Sequence, residues 1–198
     1  MSALRVLRPS IGLLAVYAFV LAGAVLQAPC AFAQDAGYKH DLIASIEDAR
    51  GKIIQLAEAT PPGKFSYRPG KGVRSTGEVF LHVVEANYLL PTLMGVKAPE
   101  GMDPMKIESS GADKAKTIEM LKSSFDHAED AIKNTADADL DKTVKIFDHD
   151  GTIRDVELII LSHAHEHLGQ SIAYARVNGI VPPWTAAQAA AAAKPKAK

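Results

Sequence analysis

Cysteine is nearly absent: Cys30 is the only one among 198 residues. An intrachain disulfide is therefore excluded, and a chain without Cys30 would also have no thiol ligand and no thiol nucleophile. An excess of charge of one sign is missing too. The 22 lysines and arginines face 23 acidic residues, for a formal net charge of −1. Without Arg5 and Arg8 the balance becomes 20 against 23, still mildly acidic. This excludes the basic footprint of a nucleic-acid-binding protein. No internal repeat is present, so a solenoid is excluded as well.

What is present begins with Arg5 and Arg8 ahead of a long apolar run, IGLLAVYAFVLAGAVLQAP, followed by Ala31-Phe32-Ala33. A positive start, an apolar middle and an A-x-A end read as a secretory signal over residues 1–33, with the mature chain beginning at Gln34. The run is long enough to serve as an uncleaved anchor, but the A-x-A site favours cleavage. The expectation is an exported, periplasmic chain with no membrane attachment after cleavage. Gln27-Ala28-Pro29 lack the small aliphatic pattern that would make Cys30 a lipid-attachment site. The roughly 165 residues from Gln34 onward suit one domain whose stability comes from a core rather than from disulfides.

Four segments carry helical periodicity. The first spans about Tyr38 to Ala59, with Leu42, Ile43, Ile46, Ile53, Ile54 and Leu56 as its apolar points. The Pro- and Gly-rich stretch TPPGKFSYRPGKGVR ends it. The second opens at Ser75, where Ser75-Thr76-Gly77-Glu78 forms a capping box, and runs to about Met94 through Pro91. The third runs from about Ala112 to Asn134, with a stripe of Ile118, Leu121, Phe125, Ala128 and Ile132. Val144 and Ile146 alternate, and Asp150-Gly151 reads as a turn, so a short hairpin is expected before the last helix. Thr152 with Asp155 caps that last helix, which ends near Asn178 at Gly179 ahead of Pro182-Pro183. The Ala- and Lys-rich tail, residues 184–198, reads as disordered. The architecture expected is all-α: an up-down four-helix bundle over residues 34–183, a frame that holds metals between facing helices.

The chemistry concentrates in LSHAHEHLGQ, Leu161 to Gln170, which carries three of the seven histidines. A helix turns about 100° per residue, so His167 lies about 40° from His163 and His165 about 200° away. His163 and His167 share the side that carries Val156, Ile159 and Ile160, whereas His165 points the opposite way. Two imidazoles spaced i, i+4 on a buried face can hold a divalent ion. The H-E-x-x-H arrangement of a metalloprotease is not present, because Ala164 follows the first histidine. A third ligand has to come from another helix. His82 lies on the stripe of Ser75, Val79, Ala86, Leu89 and Leu93, and so points inward. Glu85, one turn on from His82, reads as an acceptor beside it or a weak fourth ligand. Gln170 and Tyr174 lie about 20° to either side of His163 and line the wall beyond the pair, placed to orient a ligand or water. His40, His127 and His149 read as solvated or structural.

These residues also carry a resemblance. STGEVFLHVVEANYLL, followed far downstream by LSHAHEHLGQSIAYARVNGIVPP, resembles the DinB-like family of metal-dependent proteins, over about Tyr38 to Pro183. The resemblance implies a four-helix bundle with a three-histidine site formed by His82, His163 and His167. It also implies a divalent metal and a small-molecule substrate, and often a homodimer. Family members include thiol-S-transferases that use low-molecular-weight thiols and a mycothiol-dependent isomerase. Three imidazoles with an open position are the arrangement of catalytic zinc, while nickel, iron and copper also accept imidazole. The functions expected are therefore a metal-dependent hydrolase or thiol-S-transferase, with a non-catalytic metal-binding or stress protein as the alternative.

Overall fold

Three helices start where a side chain accepts their free N–H groups. At Ser75 the hydroxyl accepts from Glu78 N–H and the Glu78 carboxylate accepts from Ser75 N–H, closing the expected capping box. Thr152 and Asp155 repeat this arrangement, and Asp113 caps a third helix by accepting from Lys116 N–H. The computed structural model describes residues 30–111 and 113–193. The expected signal up to residue 29 and the last five residues of the tail lie outside the described residues. In chain order the helices are α1 (Cys30–Ala59), α2 (Thr76–Leu93), α3 (Lys114–Asn134), α4 (Ile153–Val177) and α5 (Pro183–Ala192). Two strands, β1 (Thr143–Ile146) and β2 (His149–Thr152), precede α4. Residues up to Tyr38 form one unit and Lys39–Lys198 another; the packing that follows is that of the second.

The core is built from one stripe each of α1, α3 and α4 together with most of the surface of α2. Ile46, Ala49, Ile53 and Leu56 of α1, Leu121, Phe125 and Ile132 of α3, and Val156 and Ile160 of α4 are almost wholly buried. In α2 the buried surface extends around most of the helix, from Val79 to Leu90. That is the pattern of a helix enclosed by its neighbours.

Polar pairs across the stripes set the directions. Glu58 of α1 meets Lys122 of α3, and Arg50 meets Asp126 and Glu129, so α1 and α3 are antiparallel. Asn87 of α2 donates to Ser124 of α3, and just past the end of α2 Met94 and Val96 border one cavity with Ala131 and Asn134 at the end of α3, so α2 and α3 run parallel. Tyr174 of α4 reaches back to Arg74 while His163 meets His82, so α4 is antiparallel to α2. The expected four-helix bundle is thereby refined in one respect: its helices run up, down, down and up. The connection between α2 and α3 is long enough to return the chain along the bundle. It carries two short 3-10 turns, Pro104–Lys106 and Glu108–Ser110, and is pinned by the buried Ile107.

Two expectations are corrected. The hairpin turn is Phe147-Asp148, not Asp150-Gly151: Ile146 pairs with His149, and Gly151 sits inside β2 opposite Val144. Glycine at 151 serves packing, since a Cβ there would lie 2.6 Å from Ile146 Cδ1. Phe147 takes the left-handed backbone of the turn at φ 52°. The Ala-rich tail is helical over Pro183–Ala192 rather than irregular. Alanine has the highest helix propensity and Pro183 is tolerated in the first turn, so composition alone misread the segment. None of the described helices is long and apolar enough to cross a membrane.

Candidate metal centre

The antiparallel pairing of α2 and α4 brings His82 opposite His163 and His167. His82 Nε2 lies 3.2 Å from His163 Nε2. The ring centroids are 4.9 Å apart for His82 and His163, 4.8 Å for His82 and His167, and 4.4 Å for His163 and His167. One nitrogen from each ring falls within 4.8 Å of the others. His167 is buried, and His82 and His163 are partly so. These are the three residues selected by helix phase, and the bundle brings all three together.

Burial and neighbouring positive charge disfavour protonation of His163 and His82. The His163 pKa is pushed down to about 3, first by burial and then by the neighbouring His167, His82 and Arg74. Burial also lowers His82, as do Arg74 and His167, against an opposing pull from Glu108. A hydrogen-bonded chain then sets the tautomer of His167. The Tyr174 hydroxyl donates to the Arg74 carbonyl oxygen at 3.2 Å. Its oxygen is left to accept from the Gln170 amide N–H at 3.1 Å. Gln170 Oε1 therefore faces His167 Nδ1, 2.8 Å away, and as an acceptor it requires the proton on Nδ1. The Nε2 lone pair of His167 is left for the centre of the triad.

The remaining candidates fall into place around this chain. Gln170 and Tyr174 orient His167 itself, rather than only lining a wall. Glu85 sits beside His82 and accepts from Glu108 N–H at 3.4 Å. Burial raises its pKa. His82, Glu85 and Glu108 form a second group whose ligand atoms lie close together. His165 is exposed on the far face of α4, with Nδ1 3.1 Å from Leu161 O. It borders a cavity of about 760 Å³ that also includes Ile146, His149 and Leu158 and excludes the triad. His40 and His149 are exposed, while His127 is half-buried against Tyr88. Two residues escaped the sequence reading, Arg74 and Glu108. Both lie in connections, where no periodicity announces the direction of a side chain. Arg74 donates to both carboxylate oxygens of Glu108, at 2.8 and 3.0 Å, and Glu108 Oε2 lies 3.1 Å from His82 Nδ1.

The donor set suits a divalent ion. Two nitrogens held about 2.0–2.1 Å from a tetrahedral centre stand about 3.3 Å apart, close to the 3.2 Å between His82 and His163. Two unprotonated nitrogens cannot hydrogen-bond to each other, so in a metal-free site one of this pair has to carry a proton; an ion accepts both lone pairs. Cavities of about 370 and 560 Å³ open beside Glu108 and Gln170, which touch the triad; the three histidines themselves line neither. The first is bordered by Glu85 and Glu108, the second by Arg68, Arg74 and Gln170.

Comparison with known proteins adds a family. A family profile described as the DinB superfamily matches residues 45–171. No curated protein matches the chain in sequence. Among solved structures, a DinB-like protein from Bacillus cereus is similar with a TM-score of 0.63 and 15% identity, over 72% of this chain and 93% of that one. A DinB-like protein from Bacillus subtilis is similar with a TM-score of 0.57 and 19% identity, over 71% of this chain and 93% of that one. At these identities the likeness speaks to the fold.

Proposed function

The chain belongs to the DinB superfamily, and from that and the site we propose that it is an exported metal protein. In this reading His82, His163 and His167 hold one divalent ion, zinc in first place and nickel, iron or copper as alternatives, and act on a small molecule. The observation that carries the reading is the convergence of three imidazole nitrogens from two facing helices. His167 has its tautomer set for ligation by Gln170.

When bound, such an ion supplies Lewis acidity and a nucleophile at neutral pH. Three protein ligands leave a position open for it to do so. The protein's own part is to disfavour protonation of His82 and His163 by burial and to aim His167 through Gln170 and Tyr174. Arg74 and Arg68 line the adjoining cavity, each paired there with a carboxylate, Glu108 and Glu78. Hydrolysis and transfer to a thiol both suit this arrangement. Export, read from Arg5, Arg8, the apolar run and Ala31-Phe32-Ala33, favours hydrolysis, because an oxidising compartment holds little reduced thiol. A second reading, a metal-binding or stress protein without catalysis, rests on the small size of the cavities beside Glu108 and Gln170 relative to the cavity on the other face of α4.

Elemental analysis tests the metal. The untagged protein, recovered from the periplasmic fraction and cleaved after Ala33 by intact mass, is expected to carry about one metal per chain. His82→Ala and His163→Ala lose it, and His165→Ala keeps it. Metal retained by folded His163→Ala would refute the site. A panel of hydrolysis and thiol-transfer assays on the loaded protein separates enzyme from binder.

A further inference from the structure

The connection between α2 and α3 contributes a carboxylate to the triad from outside the helices. Ile107 is 5% exposed and anchors the connection against α2. The next residue, Glu108, is thereby carried to the back of His82. Its backbone N–H donates to Glu85, and both its carboxylate oxygens accept from Arg74. Its Oε2 stands 3.1 Å from His82 Nδ1, close in distance though off the line of a directed hydrogen bond. That nitrogen is buried and has no hydrogen-bond partner among the described residues. The other ring nitrogen of His82 faces His163.

We propose that Glu108, gripped by Arg74, is the positioning residue that keeps the His82 proton on Nδ1 and turns the Nε2 lone pair toward the ion. A carboxylate behind a ligating imidazole sets its tautomer and raises its basicity. The competing assignment makes His82, Glu85 and Glu108 ligands of a second cation. Arg74 stands against it, since its guanidinium already occupies both oxygens of Glu108 with a positive charge. The inference rests on the triad reading of the metal centre.

The test measures zinc affinity of the full chain by competition with a chromogenic chelator. It adds the visible absorption spectrum of the cobalt-loaded protein and circular dichroism of each metal-free variant. Glu108→Ala is expected to weaken zinc binding about 10- to 100-fold and to shift the cobalt bands. Glu108→Gln keeps one oxygen that can face Nδ1–H but cannot accept from both Arg74 donors, and is expected to recover part of the loss. Asp103→Ala, which removes the cap of the 3-10 turn at Pro104–Lys106 in the same connection, is expected to leave affinity within about threefold of wild type. The proposal is overturned if folded Glu108→Ala binds zinc within threefold of wild type, or if Asp103→Ala loses as much. It is overturned too if wild type holds two zinc ions and Glu108→Ala loses one, which would make Glu108 a ligand. A wild-type chain that binds no metal overturns the triad itself, a result distinct from each of these.

Discussion

Replacing Gln170 by leucine tests whether the tautomer of His167 is set by its neighbour. The side chains are similar in volume, so the change removes hydrogen bonds more than packing. Two bonds are lost: the one accepted from His167 Nδ1–H at 2.8 Å and the one donated to the Tyr174 hydroxyl at 3.1 Å. A neutral hydrogen bond contributes about 1 kcal/mol net, so the metal-free protein should lose about 1–3 kcal/mol once the partners left behind are included. The effect on metal is separate. Without an acceptor at Nδ1 the imidazole proton is free to move to Nε2, where it blocks ligation. Loss of such a partner weakens metal binding about 10- to 100-fold, or about 1.4–2.7 kcal/mol. Gln170→Glu discriminates between the two effects. Its carboxylate still accepts from Nδ1–H but can no longer donate to Tyr174. Stability should fall while zinc affinity stays at or above that of wild type. Urea unfolding without metal reads the first quantity, and chelator competition reads the second. Folded Gln170→Leu that binds zinc within threefold of wild type would refute the reasoning. So would Gln170→Glu if it binds as weakly as the leucine variant.

Two further outcomes follow from the same structure. The ordinary histidine pKa is 6.5 and that of the partly buried His163 is about 3, so between these values the unfolded chain binds the proton and the folded one does not. This contribution to stability is complete above pH 6.5 and is lost as pH falls toward 3. The urea midpoint of the metal-free protein should drop across that window, and less steeply in His163→Leu. An equal slope in the two proteins would count against the assignment. Gly151→Ala would place a Cβ 2.6 Å from Ile146 Cδ1, overpacking a buried contact at a cost of about 1–3 kcal/mol. A loss below about 0.5 kcal/mol in the same measurement would show that the hairpin gives way easily.

The parts of the site that lie on helices were legible in the sequence because phase is a strong constraint. His163 and His167 share a face, His165 does not, and no tertiary information is needed to say so. His82 was reachable by the same route, from its place among Val79, Ala86 and Leu89. The capping boxes at Ser75 and Thr152 are local as well, each closed within four residues. The hairpin turn was harder to read. Asp150-Gly151 carries the commonest turn signal, yet its glycine answers a crowding problem posed by Ile146 across the ladder. Glu108 was not legible at all. Its position depends on a buried isoleucine one residue before it and on a guanidinium more than thirty residues earlier in the chain.

That guanidinium belongs to a residue with two separate connections to the site. The Arg74 side chain grips Glu108, behind His82, while the Arg74 carbonyl receives the Tyr174 hydroxyl at the head of the chain to His167. Arg74 immediately precedes Ser75, whose capping box fixes the backbone where α2 begins. The start of one helix therefore sets, through a side chain and a carbonyl pointing different ways, the orientation of imidazoles on two helices. A substitution at Arg74 removes only the side-chain branch, because the carbonyl is common to every residue. His82 and His167 are thus supported by separable routes from one point in the fold, and disturbing the cap at Ser75 should disturb both.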